Sequence, residues 1–313
     1  MTQRFTLSRI AGEGGSRSDT GEDQKGIDMT DTVANTAMQQ YWNEVAGPRW
    51  VARAGIQEAR NLEVAHILQE AAAPKPGERV LDIGCGTGAT TLPFAAAVAP
   101  GGVVTGADIA EPMLAQCRQN IAKSGAANVE LLLADAQTHP FAPGSYDLVI
   151  SRFGVMFFAD PYAAFANLFG ALKKGGRLCM AVWSTLDDNV HWKIPFEIAV
   201  RHLGRPAPGD PNSPGPMAFR DPARFRDIIA RAGFADISVE KRQFHIAGQT
   251  AALEAEHSAG AGPAWRLMEE KQAPDEIRQA IVAETAIEFA RYLTPDGIRL
   301  PGNILLARAK RPD

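Results

Sequence analysis

Residues 80–95 read VLDIGCGTGATTLPFA: a short apolar run, a turn carrying Gly84, Gly86 and Gly88, and then a helical pattern. The run Val80–Ile83 is short and apolar enough for a strand buried on both faces, with a helix predicted from about Gly88 to Val98. Glycine lacks the Cβ that would hold a ligand away from the backbone, and it tolerates positive φ. A small polar ligand can therefore lie directly on this turn. The glycines alone do not choose that ligand, because Gly84-x-Gly86-x-x-Ala89 also satisfies the dinucleotide-binding fingerprint.

The acidic neighbours narrow the choice. Asp82 places a carboxylate inside an otherwise apolar strand, which is costly unless it is paired. A cationic ligand group would supply the pairing and a pyrophosphate would be repelled, while bonds to the loop's own N–H groups would satisfy Asp82 with no ligand at all. Asp108 ends the next strand, where a carboxylate can accept from both hydroxyls of a ribose, or simply cap the following helix. Asp135 and Ala136 follow the third strand and can offer a carboxylate and a backbone N–H to an adenine ring; an ordinary loop aspartate is the other reading.

Outward from this turn, apolar runs alternate with amphipathic helices, the signature of a doubly wound, mostly parallel α/β sheet. Strands are predicted at Val103–Ala107, Val129–Leu133, Asp147–Ser151, Arg177–Trp183 and Ile237–Val239, with a last one near Asn303–Ala309. Pro161 opens a helix that Gly175 and Gly176 stop, and Asp221-Pro222 opens another that Gly233 closes. Two insertions break the rhythm. Residues 184–219 carry Pro206, Pro208, Pro211, Pro214 and Pro216, predicting a rigid irregular loop rather than a helix. Residues 250–293 read as two or three helices. Upstream, residues 36–73 form a helical cover, with Tyr41, Trp42 and Trp50 in an aromatic cluster and a helix over about 57–72. Residues 1–35 lack hydrophobic periodicity and read as a disordered tail; Met29 is an alternative start, which would make the first 28 residues an over-extended reading frame. The main domain is assigned to residues 74–313.

The totals set the class. The chain has 313 residues, 45% of them hydrophobic, enough for a full core. Lys and Arg number 32 against 36 Asp and Glu, a net charge of -4, the wrong balance for a nucleic-acid groove or an anionic membrane surface. Cys85, Cys117 and Cys179 form no CxxC pair, and no histidine sits at metal-ligand spacing, so neither a disulfide nor a metal site is expected. No apolar run approaches the roughly 20 residues of a membrane helix, and no secretory signal is visible. A cytoplasmic setting follows, and oligomeric state is left open.

Together these elements resemble the class I S-adenosylmethionine-dependent methyltransferases over about residues 75–245. The resemblance implies a Rossmann-like methyltransferase fold of seven strands with the last antiparallel, and S-adenosyl-L-methionine as cofactor, leaving as S-adenosyl-L-homocysteine. It implies that the DxGxGxG turn, here Asp82, Gly84, Gly86 and Gly88, cradles the methionine part. By the same analogy Asp108 binds the ribose, Asp135 and Ala136 meet the adenine, Met113 packs on it, and Ser151 and Arg152 lie beside the methionine amino group. The segment SYDLVISRFGVMFFADPYAAFANLFGALKKGGRL (145–178) is similar to the small-molecule branch containing the ubiquinone and menaquinone C-methyltransferases. The long helical insertion departs from that branch and implies a lid for a different acceptor.

Methyl transfer asks for alignment of donor and acceptor and, for a phenol, thiol or enol, a base. His191, just after the fifth strand, is the candidate base, with a packing histidine as the plain alternative. Arg152 is a candidate to orient an anionic acceptor, or a simple ion-pair partner. Trp183 and Trp192 are candidate walls of an apolar acceptor pocket, equally explained as core. Asp160-Pro161-Tyr162 is similar to the Asp/Asn-Pro-Pro-Tyr motif of DNA and protein amino-group methyltransferases, but it lies beyond the fourth strand's end and lacks the second proline. A small, partly apolar metabolite is thus the expected acceptor, without a nucleic-acid or membrane partner. An NAD(P)-binding oxidoreductase and a non-methylating S-adenosylmethionine-binding protein are the competing readings.

Overall fold

The computed structural model describes residues 35–313, so the expected tail lies, apart from Asn35, outside the described residues. Among the described residues eight strands form one sheet: β1 Arg79–Ile83, β2 Val103–Asp108, β3 Val129–Leu133, β4 Tyr146–Arg152, β5 Leu172–Trp183, β6 Ala235–Gly248, β7 Leu293–Thr294 and β8 Gly297–Lys310. The order is β3-β2-β1-β4-β5-β8-β6, with the two-residue β7 paired to β8 outside this path. Strands β1 to β5 run parallel, and β8 lies antiparallel to both β5 and β6. The doubly wound, mostly parallel sheet read from the sequence is present, with seven strands on its main path.

The order reverses between β1 and β4, and in open α/β sheets the crevice at such a switch point is where ligands bind. Here that crevice is unusually tight. A Cβ on Gly84 would lie 2.6 Å from Gly154 Cα, and one on Gly154 would lie 2.5 Å from the carbonyl oxygen of Ile83. The β1 and β4 exit loops therefore pack backbone against backbone, which only glycine permits at both positions. Beneath them Leu81, Phe94, Leu148, Ile150 and Phe165 are fully buried, each such side chain contributing about 1.5–3 kcal/mol through removal from water.

Local chemistry accounts for the helix ends. The Asp160 side chain accepts from the backbone N–H of Tyr162 at 2.9 Å and of Ala163 at 3.0 Å, with Pro161 in the first turn. Asp160-Pro161-Tyr162 is thus an N-cap followed by proline at the first helical position. Asp221 and Thr250 cap the helices Pro222–Arg231 and Ala251–Ala259 in the same way.

The prolines of the first insertion mislead in one respect. A helix spans Val190–Leu203 despite an internal Pro195, and only after Gly204 does the chain become the irregular proline-rich loop. The five prolines named above all lie beyond that glycine, so they say nothing about the fourteen helical residues before it. The predicted 57–72 helix is interrupted at Asn61, giving Ala54–Arg60 and Leu62–Ala72. Strands β6 and β8 are longer than expected because they pair with each other along their whole length. The second insertion supplies helices Ala251–Ala259, Gly262–Glu270 and Asp275–Phe289. No described helix is long and apolar enough to cross a membrane. The three cysteines are buried and unbridged.

Candidate active site

A cavity of about 280 Å³ opens at the switch point. Its inner wall is the β1 turn, and Gly84, Gly86, Asp108, Met113, Asp135 and Ala136 all line it. A Cβ on Gly86 would lie 3.2 Å from the Met113 Cε, so the glycine keeps the floor open beside that thioether. Both oxygens of the half-buried Asp108 carboxylate already hold the turn: Oδ2 accepts from Gly86 N–H and Oδ1 from Ala110 N–H, each at 2.9 Å. Burial raises its pKa, opposed by these backbone donors. A carboxylate has about four lone-pair sites, which leaves acceptor capacity toward the cavity.

Asp135 Oδ1 accepts from Gln137 N–H at 3.0 Å, while Oδ2 takes the backbone N–H of Asn35 at 3.1 Å. The Asn35 amide also donates to the carbonyl of Phe157 at 3.0 Å. The start of the N-terminal cover is thereby pinned over the β3 end of the cavity. Trp42 stands edge-on to Phe157 with ring centroids 5.0 Å apart, and Tyr41, Trp42 and Trp50 all face the cavity. These aromatics both staple the cover and form part of the wall.

Three residues read as direct cofactor contacts are off the wall. Asp82 is fully buried beneath the turn; its Oδ2 accepts from Thr91 Oγ1 at 2.8 Å, and Oδ1 has no partner among the described residues. The partner is thus a helix hydroxyl rather than the loop's own N–H groups. Burial pushes its pKa up to about 7 against the Thr91 bond and the attraction of Arg152. Gly88 adopts φ +90, and a Cβ there would lie 2.7 Å from Cys117 Sγ, so this glycine serves the packing of the helix Glu111–Ser124. Ser151 is fully buried: its hydroxyl donates to the Ile83 carbonyl at 2.8 Å and accepts from Gly154 N–H at 3.2 Å, tying the β1 and β4 exits together.

The outer half of the cavity is aromatic and basic. Phe153 stacks on Trp183 with centroids 4.1 Å apart and planes 4° apart. Phe153 holds a positive φ of 66, a conformation rare for a bulky residue, which strains the β4 exit where it presents this ring. Trp192 lies 4.6 Å from Trp183, and His191, 1% exposed, lies 5.2 Å from it. Burial, aided by the nearby Arg60 charge, lowers the His191 pKa well below 6.5, so the imidazole is neutral. Its Nδ1 has no partner among the described residues.

Arg152 reaches the wall but is engaged: it donates to Glu58 Oε2 at 2.7 Å, while Glu58 Oε1 accepts from Thr87 Oγ1 at 2.8 Å. Of its two readings, the ion-pair partner is the one formed here, and the pair couples cover and turn. The sequence reading missed Glu58 and Arg60, whose helical segment carried no recognisable motif. Arg60 pairs with the buried Glu254 at 2.5 Å and donates to Ser258 at 3.1 Å, joining the N-terminal cover to the second insertion. Arg49, Arg53, Trp265 and Arg266 also line the cavity and had no local signal.

Comparison with known proteins agrees with this arrangement. A family model described as a methyltransferase domain matches residues 80–176, the part that builds the inner half. Nocamycin O-methyltransferase of Saccharothrix syringae is 32% identical over 257 residues, covering 76% of this chain and 89% of that protein. Demethylmenaquinone methyltransferase of Thermus thermophilus is 33% identical over 174 residues, covering 52% of this chain and 77% of that protein. The phosphoethanolamine N-methyltransferase 2 of Haemonchus contortus, solved in complex with S-adenosyl-L-methionine, shares the fold with a TM-score of 0.55 at 19% identity, over 90% of this chain and 61% of that one.

Proposed function

This chain belongs to the S-adenosylmethionine-dependent methyltransferases, and from that premise we propose that it methylates a small, partly apolar metabolite bound in the outer half of the cavity. One observation carries the reading. A single cavity joins the glycine turn with its two carboxylates to the aromatic wall of Phe153, Trp183 and Trp192.

The residues present fit the cofactor. Gly84 and Gly86 leave the turn bare, Asp108 has acceptor capacity for ribose hydroxyls, Asp135 and Ala136 line the same cavity and would meet the adenine edge, and Met113 offers a soft apolar face. Asp82, with one oxygen unpartnered beneath the turn, adds a counter-charge for a cationic group above it. When bound, the cofactor supplies a methyl group on a sulfonium, already activated for in-line displacement. The protein's contribution is then alignment, worth about 7–11 kcal/mol when the geometry is a near-attack one.

His191 takes the proton side of the reaction. As a neutral imidazole on the cavity wall it would accept the hydrogen of an acceptor hydroxyl as that oxygen takes the methyl group, with the cofactor, when bound, leaving as the neutral thioether. The likeness to nocamycin O-methyltransferase over most of that protein's length supports an oxygen nucleophile. Trp183 and Trp192 exclude water around the acceptor, and a cytoplasmic setting suits such a metabolite. Incubation with methyl-labelled S-adenosylmethionine and a metabolite extract is expected to yield one labelled small molecule and S-adenosylhomocysteine. Binding of the cofactor with no labelled product from any extract would sink the reading.

A further inference from the structure

We propose that the acceptor is a flat organic acid, its carboxylate held at the cavity mouth by Arg49, Arg53 and Arg266 and its apolar body lying on the Phe153–Trp183 stack. This inference rests on the methyltransferase reading and names the acceptor class that reading leaves open.

Five arginines of the described residues line the cavity, and they divide into two groups. Arg60 and Arg152 are committed to Glu254 and Glu58. Arg49, Arg53 and Arg266 have no carboxylate partner among the described residues, and they come from separate elements: the helix Gly47–Ala52, the junction after it, and the inserted helix Gly262–Glu270. The Arg49 guanidinium lies over the Trp265 ring, 4.4 Å from its centroid, which holds the cation in place without neutralising it. Arg53 Nη1 lies 3.3 Å from the position of a Cβ on Gly260, and Arg266 Nη2 lies 3.1 Å from that of one on Gly215. The bare backbone at these two glycines makes the room that the guanidinium groups occupy at the mouth.

Three guanidinium groups gathered at one mouth without carboxylate partners repel one another unless an anion answers them. The cofactor does not, since its sulfonium and ammonium outweigh its one carboxylate. Guanidinium groups match a carboxylate in geometry and in charge. The wall below is planar and apolar, with ring planes only 4° apart between Phe153 and Trp183, and therefore suits a flat hydrophobic body. An acid of this shape satisfies both ends at once, whereas a neutral metabolite leaves the three cations unanswered.

The test uses the full chain loaded with S-adenosylhomocysteine, titrated calorimetrically with 2-naphthoate and with its neutral isostere 2-naphthamide. Naphthoate is expected to bind at least about tenfold tighter than the amide, a difference that shrinks as salt is raised. The double variant Arg53→Gln, Arg266→Gln is expected to lose that preference while keeping its affinity for naphthamide and S-adenosylhomocysteine and an unchanged circular dichroism spectrum. Equal binding of the two probes, binding of neither to the loaded protein, or an undiminished preference in the double variant would each overturn the acid assignment. Failure of S-adenosylhomocysteine itself to bind would instead remove the methyltransferase site on which the assignment rests.

Discussion

The two halves of the cavity are built on different principles. The inner half comes from the exits of three adjacent strands, β1, β2 and β3, and its polar groups are carboxylates and bare backbone. Its side chains are held mostly by backbone N–H groups of the neighbouring strand exits, such as Asp108 by Gly86 and Ala110, with Asn35 of the cover added at Asp135. The outer half is assembled from the N-terminal cover, the β4 and β5 exits and both insertions, and its polar groups are guanidinium groups. It is fastened by bonds between residues far apart in the chain, of which Arg60–Glu254 is the most buried. One half is thus a product of strand register; the other exists only when distant segments dock.

The sharpest way to break this contrast is to cut the fastening. Glu254→Gln leaves the Arg60 guanidinium buried without its counter-charge, and breaking a buried pair in this way costs about 3–5 kcal/mol. Hydrogen exchange is expected to accelerate in residues 54–72 and 251–289 while β1 to β3 stay protected; uniform acceleration would mean that the halves are one cooperative unit. The reverse cut is Asp108→Ala, which removes the carboxylate that anchors Gly86 and faces the cavity. Affinity for S-adenosylhomocysteine is expected to fall about a hundredfold, on the order of 2.7 kcal/mol, with 2-naphthoate binding to the cofactor-free protein unchanged. An unaltered cofactor affinity would take the ribose assignment away from Asp108.

This contrast also decides what can be read without coordinates. Gly84, Gly86 and Asp108 announce themselves because a strand–turn–helix unit places its ligand groups within a few residues of a hydrophobic run, and the run fixes their phase. The same logic erred by one layer at Asp82, Gly88 and Ser151. Motif spacing says that they belong to the turn, but side-chain direction along a strand alternates with every residue and turns Asp82 and Ser151 toward the core, while Gly88 is fixed by its close approach to Cys117. Arg152 was legible as a residue of the site but not as the partner of Glu58, ninety-four positions away. Arg49 and Arg266 sit in helices whose periodicity shows only which side is apolar, and Arg53 sits at the junction between two helices; their meeting at one mouth depends on how the insertions pack. The helix Val190–Leu203 was hidden by prolines that turn out to belong to the next loop.

The last contrast separates the halves by pH. Burial drives Asp82 and His191 both toward neutrality, and since one is an acid and the other a base the consequences for stability run in opposite directions. Asp82 has an ordinary value of 3.8 and is pushed to about 7 in the fold; the unfolded chain gives up this proton first, so the contribution to stability is full below about pH 4 and is lost as pH rises toward 7. His191, held well below its ordinary 6.5, is protonated first in the unfolded chain, so its contribution is full above that value and is lost as pH falls. In thermal melts from about pH 5 to 8, Asp82→Asn is therefore expected to gain on the parent protein as pH rises, and His191→Gln to gain on it as pH falls. Bound S-adenosylmethionine sharpens the distinction: a cationic group above the turn favours the charged Asp82, so its stabilising effect should grow with pH in the parent and stay flat in Asp82→Asn. A ligand-induced stabilisation equally flat with pH in parent and variant would show that burial alone, with no ligand charge in reach, governs the carboxylate beneath Gly84; parallel profiles of the two unliganded proteins would show instead that burial does not shift it.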